Sequence, residues 1–246
     1  MSALTSNTSA INTADSKIVV ALDYADVKSA LNLVAQLDPA LCKLKVGKEL
    51  FTTSGPQLVE QLVKKEFAVF LDLKFHDIPN TVSKACEAAS KLGVWMLNVH
   101  ASGGSAMMQA AMEGVQRSGN RPYLIAVTVL TSMQQSSLQE IGIDTSIEEH
   151  VLRLAKLTQE SGLDGVVCSA LEATLLRQHI PQEFVLVTPG IRPTSASQDD
   201  QSRILTPTQA LAAGASYLVI GRPITQAKQP LLALTQIHQE ISAFQT

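Results

Sequence analysis

Short β-branched runs alternate with longer stretches of helical periodicity along nearly the whole chain. This alternation restricts the fold more than any single residue does. The runs Lys17–Leu22, Cys42–Gly47, Ala68–Leu73, Trp95–His100, Tyr123–Val129, Gly165–Cys168, Phe184–Val187 and Tyr217–Ile220 read as strands. Val27–Leu37, Gln57–Lys65, Val82–Leu92, Gly104–Arg117 and Ile147–Ser161 repeat apolar residues at a period of about 3.6 and read as helices. Thr206–Ala213 reads as a short helix opened by a Thr-Pro cap. Strands separated by helices pair in parallel, because a parallel partner is reached only through a crossover. Eight such units predict an α/β fold, a single (β/α)8 TIM barrel with its active site at the C-terminal face of the strands. A doubly wound open sheet is the alternative, since periodicity does not report closure. The barrel is favoured because polar residues end many strands rather than clustering at one switch point.

The 246 residues suit one barrel, and no linker interrupts them. Residues 16–246 are expected to form the barrel domain. The polar stretch 1–15 is expected to be a loose tail; it lacks the basic start and apolar core of a secretory signal. With 46% hydrophobic and 17% charged residues the chain can fill a large core. A net charge of −3 argues against a nucleic-acid partner. No run reaches the roughly 18 apolar residues of a membrane span. Cys42, Cys86 and Cys168 are scattered without metal-ligand spacing. They read as packing residues of a cytoplasmic protein, and Met107, Met108 and Met112 read as core by their helical spacing. No metal, flavin or nicotinamide motif is present, so no cofactor is expected.

The densest chemistry lies in Phe70-Leu71-Asp72-Leu73-Lys74-Phe75-His76-Asp77-Ile78-Pro79-Asn80. Strand side chains alternate, so Asp72 and Lys74 point to one face and Leu71 and Leu73 to the other. On a barrel this puts Asp72 and Lys74 at the inner mouth. A plain buried ion pair is the bland alternative, disfavoured because stability rarely requires one. Asp77 follows the strand and also reads as a helix N-cap. In Leu44-Lys45-Val46-Gly47-Lys48, Lys45 ends the strand and Lys48 lies just beyond; spacing alone does not choose between them. Lys43 shares the face of Lys45 but lies deeper or nearer the opposite rim. Asp23 ends the first strand and reaches the mouth.

Thr188-Pro189-Gly190-Ile191-Arg192-Pro193 and Ile220-Gly221-Arg222-Pro223-Ile224 follow the seventh and eighth strands, where barrels often bind phosphate. Gly190 and Gly221 allow backbone N–H groups to approach an anion, and Arg222 adds a bidentate contact. A solvated arginine is the alternative for Arg222 and more so for Arg192. The polar stretch Thr194–Arg203 reads as a lid in which Gln201 touches the phosphate, or as a plain surface loop. Asn98 and His100 face inward together. His100 reads as a hydrogen-bonded supporting histidine, with an acid or base role as the alternative. Thr131 is placed to contact a polar ligand edge.

The run Asp72-Leu73-Lys74-Phe75-His76-Asp77-Ile78-Pro79-Asn80-Thr81-Val82 resembles the signature of the orotidine 5′-monophosphate decarboxylase family. Val20-Ala21-Leu22-Asp23, Leu44-Lys45-Val46-Gly47, Asn98-Val99-His100-Ala101, Thr188-Pro189-Gly190-Ile191-Arg192 and Gly221-Arg222-Pro223-Ile224 match it in order. The likeness runs from about Ile18 to the last helix and is nearest to the family's bacterial form. It implies a catalytic Lys-Asp-Lys-Asp array of Lys45, Asp72, Lys74 and Asp77, with Lys45 preferred over Lys48. Asp77 and Thr81 would cross the interface of a homodimer. Asp23 and Thr81 would contact ribose, Thr131 the pyrimidine edge, and Arg192, Gln201, Gly221 and Arg222 the phosphate region. The implied reaction is decarboxylation of orotidine 5′-monophosphate to uridine 5′-monophosphate, without metal or cofactor, Lys74 protonating carbon 6. The rivals are a Mg²⁺-dependent sugar-phosphate decarboxylase or hexulose-phosphate synthase of the same superfamily, and a non-catalytic nucleotide-binding barrel.

Overall fold

The computed structural model describes residues 16–193 and 205–245. The expected tail 1–15 and the expected lid, Gln201 included, lie outside the described residues. The strands are β1 (Ile18–Ala21), β2 (Lys43–Gly47), β3 (Val69–Phe75), β4 (Met96–His100), β5 (Tyr123–Val127), β6 (Gly165–Val167), β7 (Val185–Thr188) and β8 (Tyr217–Ile220). Each pairs in parallel with the next, and β8 pairs with β1, so the sheet closes into a barrel and the open-sheet alternative falls.

The helices are α1 (Val27–Val34), α2 (Lys48–Ser54), α3 (Pro56–Lys64), α4 (Pro79–Lys91), α5 (Gly104–Arg117), α6 (Gln135–Glu140), α7 (Ile147–Glu160), α8 (Ala170–Arg177), α9 (Pro207–Ala212), α10 (Arg222–Thr225) and α11 (Pro230–Gln245). Their starts are written locally. Asp26 accepts from Ser29 N before α1, Ser146 accepts from Glu149 N before α7, and Thr206 and Gln209 form a capping box at α9. The sequence reading gave no bounds for α11, and it did not mark α2, α6, α8 and α10, which span seven, six, eight and four residues. That is too short for a helical period to register. The fifth strand stops at Val127 rather than Val129, because the chain turns into the barrel mouth there.

Alternation along the strands divides the core into two shells. Val20, Leu44, Leu71, Leu97 and Leu218 face outward and pack with the helices. Val19, Phe70, Met96, Ile125, Val187 and Val219 fill the barrel interior. At the amino-terminal end Trp95 packs edge-on against Tyr217, with ring centroids 4.8 Å apart. The Lys43 ammonium lies 4.9 Å from the Trp95 ring centre and donates to Ser16 O at 2.8 Å. Lys43 therefore belongs to the rim opposite the carboxyl ends, as one of its two readings had it. On the outside, α4 and α5 pack backbone to backbone. A Cβ on Gly114 would stand 2.0 Å from Ser83 O, so only glycine fits.

Candidate active site

The parallel ladder between β3 and β4 is irregular. Leu71 pairs with Leu97 but Phe75 pairs with Val99, so β3 takes four residue steps where β4 takes two. Within this bulge Lys74 adopts φ 52°, in the left-handed region that side chains other than glycine rarely occupy. Simple alternation would already place Asp72 and Lys74 on one face. The bulge turns Lys74 so that its ammonium comes back to 2.6 Å from Asp72 Oδ1. Leu73 and Phe75 remain packed against the outer shell.

Four charged groups meet at this point. Lys45 Nζ lies 3.5 Å from Asp72 Oδ2 and 3.3 Å from Asp23 Oδ1. Each Asp72 oxygen thus has its own ammonium. Asn98, fully buried, donates from Nδ2 to Asp72 Oδ1 at 2.7 Å and accepts from the Lys74 backbone N–H at 2.8 Å. Burial works to raise the Asp72 carboxyl. The charges of Lys45 and Lys74 and the hydrogen bonds from Lys74 and Asn98 outweigh it and hold the group below the ordinary carboxylate value. Asp72 is therefore an anion clamped between two cations. Lys48 opens α2 beyond the strand and makes no ion pair with Asp72 among the described residues, so of the two lysines it is Lys45 that the barrel brings to Asp72.

Around this cluster lies a cavity of about 340 Å³ at the carboxyl ends of the strands. Asp23, Lys45, Asp72, Lys74, Thr131, Arg192, Gly221 and Arg222 all line it. Its floor is apolar, made by Ala21, Phe70, Val127, Val167, Val187 and Val219. On the far wall Gly190 takes φ 80° after β7, a conformation suited to glycine. Gly221 precedes the short α10, and a Cβ there would meet nothing nearer than 3.7 Å, so the space beside it is open to a ligand. Arg192 is only 8% exposed, and its Nε–H is buried without a hydrogen-bond partner among the described residues. An unsatisfied guanidinium donor in a cavity wall is a place for an anion. Ile191 bridges to Leu205, and Arg192 N–H donates to Leu205 O at 3.1 Å, which pins the two ends of the intervening segment together at the rim.

Two expected residues stand apart. Asp77 and Thr81 are exposed and do not line their own chain's cavity. Asp77 is not the N-cap of α4. Ile78 occupies that position with Pro79 following, and the Asp77 carboxylate turns back to accept from Ile78 N–H at 2.6 Å. His100 is half-buried with its ring 5.6 Å from that of His76, and its ring makes no hydrogen bond among the described residues, contrary to the reading as a hydrogen-bonded support. Burial, then the nearby charges of His76, Lys48 and Lys74, push its basicity down, which favours the neutral ring. The bonds of Asn98 were missed. Its only signal was an amide at an inward strand position.

A model of the "Orotidine 5'-phosphate decarboxylase / HUMPS family" matches residues 16–237. The chain belongs to that family. Among relatives named orotidine 5′-phosphate decarboxylase, that of Chromobacterium violaceum is 62% identical over 229 residues, 93% of each chain. That of Nitrosococcus oceani is 61% identical over 227 residues, 92% of this chain and 98% of the relative. The crystal structure of orotidine 5′-phosphate decarboxylase from Lactobacillus acidophilus superposes with a TM-score of 0.84 at 39% identity, covering 92% of this chain and 99% of that one. In this member of the decarboxylase / HUMPS family the Lys45–Asp72–Lys74 cluster occupies the barrel mouth that the fold class uses for chemistry.

Proposed function

We propose that this chain decarboxylates orotidine 5′-monophosphate to uridine 5′-monophosphate and carbon dioxide, with Lys74 as the proton donor and no metal or cofactor in the reaction. The observation that carries this reading is one anion, Asp72, held between the ammoniums of Lys45 and Lys74 in a cavity whose far wall bears Arg192 and Arg222. The family membership and the named relatives support the same reaction.

The chemistry follows from that layout. Breaking the bond from carbon 6 to the carboxylate leaves the electron pair on carbon 6, where no adjacent carbonyl delocalises it well. The barrier to be removed is on the order of 20 kcal/mol. Asp72 lies beside the substrate carboxylate, and their repulsion ends when neutral carbon dioxide departs. The Lys74 ammonium attracts the developing charge and then delivers its proton to carbon 6, and the neutral amine regains a proton from solvent. Lys45 keeps Asp72 ionised and also steadies Asp23, which contacts ribose in this reading. Thr131 contacts the pyrimidine edge. Arg192, Arg222 and the N–H groups near Gly221 take the phosphate, so binding energy far from the reacting bond orients it. Gln201 is proposed to join them.

The chain is further proposed to act as a homodimer, Asp77 and Thr81 entering the partner's site. Ile78, between them, is an apolar side chain 67% exposed. A second cavity of about 350 Å³ adjoins the first, shares Asp23, Lys45, Asp72 and Lys74 with it, and opens past Lys48 and Glu49. A carboxylate entering there meets the two ammoniums. No described helix is long and apolar enough to cross a membrane, and all three cysteines are free thiols, which fits the proposed cytoplasmic location.

The test is the ultraviolet absorbance of orotidine 5′-monophosphate in excess chelator, wild type beside Lys74→Ala. Rapid loss of the substrate band in the wild type, nearly abolished in the variant, is expected. No change with either protein would sink the reading, and turnover only after Mg²⁺ is restored would favour the sugar-phosphate enzymes.

A further inference from the structure

Asn98 sits on β4 opposite the break in the β3 ladder, between the paired residues Leu97 and Val99. The break removes the ordinary ladder partner of the Lys74 N–H, and the Asn98 amide oxygen takes its place at 2.8 Å. The other end of the same amide donates at 2.7 Å to Asp72 Oδ1, the oxygen that also receives Lys74 Nζ at 2.6 Å. The orientation of the amide is fixed by its partners. A main-chain N–H can only donate and a carboxylate can only accept, so a flipped amide would oppose like groups at both ends. Left-handed backbone at a residue other than glycine persists only where its surroundings over-determine it. Here the determinant is a side chain with 0% exposure.

We infer that Asn98 is a positioning residue for the proposed decarboxylation: its amide holds the bulge that aims the Lys74 ammonium and fixes the Asp72 carboxylate beside it. The inference rests on the reading of the function given above. Asn98 touches no face of the cavity and acts only through Lys74 and Asp72. Neither leucine nor an ionised aspartate, both of similar volume, does both jobs. Leucine fills the space and offers neither hydrogen bond. An ionised aspartate accepts from Lys74 N–H but repels Asp72.

That difference supplies the experiment. Asn98→Leu and Asn98→Asp are compared with wild type for kcat and KM across pH, with circular dichroism and melting as folding controls. In Asn98→Leu, kcat is expected to fall by about 100-fold, the cost of a misaimed reactive group. KM is expected to change little, because the phosphate wall is untouched. In Asn98→Asp the new carboxyl and Asp72 share one proton at low pH, which restores the missing donor. As pH rises the proton leaves, the two carboxylates repel, and activity is expected to fall at a lower pH than in wild type. Lys45 of β2 and Lys74 of β3 face this pair, with Asp23, just past β1, behind Lys45 and His76 and His100 beyond; their charges set where that fall lies.

Three results overturn the inference. They are wild-type kcat in Asn98→Leu, equal losses through kcat and KM, and an unaltered pH profile in Asn98→Asp. Failure of both variants to fold does so too, since it makes Asn98 a residue of stability alone. Absence of turnover in the wild type is the separate result that defeats the decarboxylase reading itself, and the inference falls with it.

Discussion

Lys74 and Asp72 stand two positions apart on β3, and their charged ends meet at 2.6 Å while the backbone at Lys74 is left-handed. Asp72 is 8% exposed, and its ionised form is favoured by Lys45, Lys74 and Asn98 against the cost of burial. Its folded value lies below its unfolded one. The stabilisation this linkage contributes is therefore complete above the unfolded value of about 3.9 and is lost as pH falls through the folded value. Asp72→Asn is expected to be less stable than wild type at neutral pH, with the gap closing in acid. Urea denaturation from pH 7 downward checks this, and a gap that stays constant with pH would refute it. Catalysis is expected to drop by at least about 100-fold, the scale of losing one fixed charge at a reacting centre.

Arg222 and Arg192 line the wall proposed for the phosphate. Replacing Arg222 by alanine removes a charge-assisted contact of about 2 kcal/mol, or roughly 30-fold in kcat/KM. Because the contact is remote from carbon 6, much of the loss is expected in KM. The dissociation constant of uridine 5′-monophosphate, by calorimetry, is expected to weaken in step, while that of uridine is expected not to change. An equal effect on the nucleoside would remove the phosphate from this wall.

Gly114 lets α5 touch α4 where a Cβ would come within 2.0 Å of Ser83 O. Gly114→Ala overpacks a rigid backbone contact and is expected to cost about 2 kcal/mol, a fall in Tm of roughly 4–8 °C for a chain of this size. Scanning calorimetry measures it. A Tm equal to wild type would mean that the two helices separate without cost. Thr81 lies in the first turn of α4, so sedimentation of the same variant also reports on the proposed dimer.

Cys42, Cys86 and Cys168 are buried, and burial pushes the first two thiols up to about 12. The Cys168 thiol is raised by the same cause. Native protein at pH 8 is expected to leave Ellman's reagent unreacted, and unfolding in guanidinium is expected to release all 3 thiols. Rapid reaction of any one in the native state would reopen a chemical role for it.

The sequence by itself determined the eight strands, most of the longer helices and their order. Period-two and helical patterns are local, and they survive in a one-dimensional reading. The residues at the ends of β1, β2 and β3, and the glycine-arginine pairs after β7 and β8, were legible for the same reason, and the family resemblance assigned them to a site. Closure was not legible, because the pairing of β8 with β1 joins positions about two hundred residues apart without marking either strand. Lys45 and Lys48 look alike as residues and spacing; only the barrel brings one of them to Asp72. The helix-capping reading of Asp77 failed because Pro79 sets the first turn one residue later. The bulge in β3, the left-handed Lys74 and the two bonds of Asn98 arise from a mismatch in step between neighbouring strands. Such a mismatch belongs to the pairing and to neither strand alone, so only the tertiary structure decided how the Lys74 ammonium is aimed.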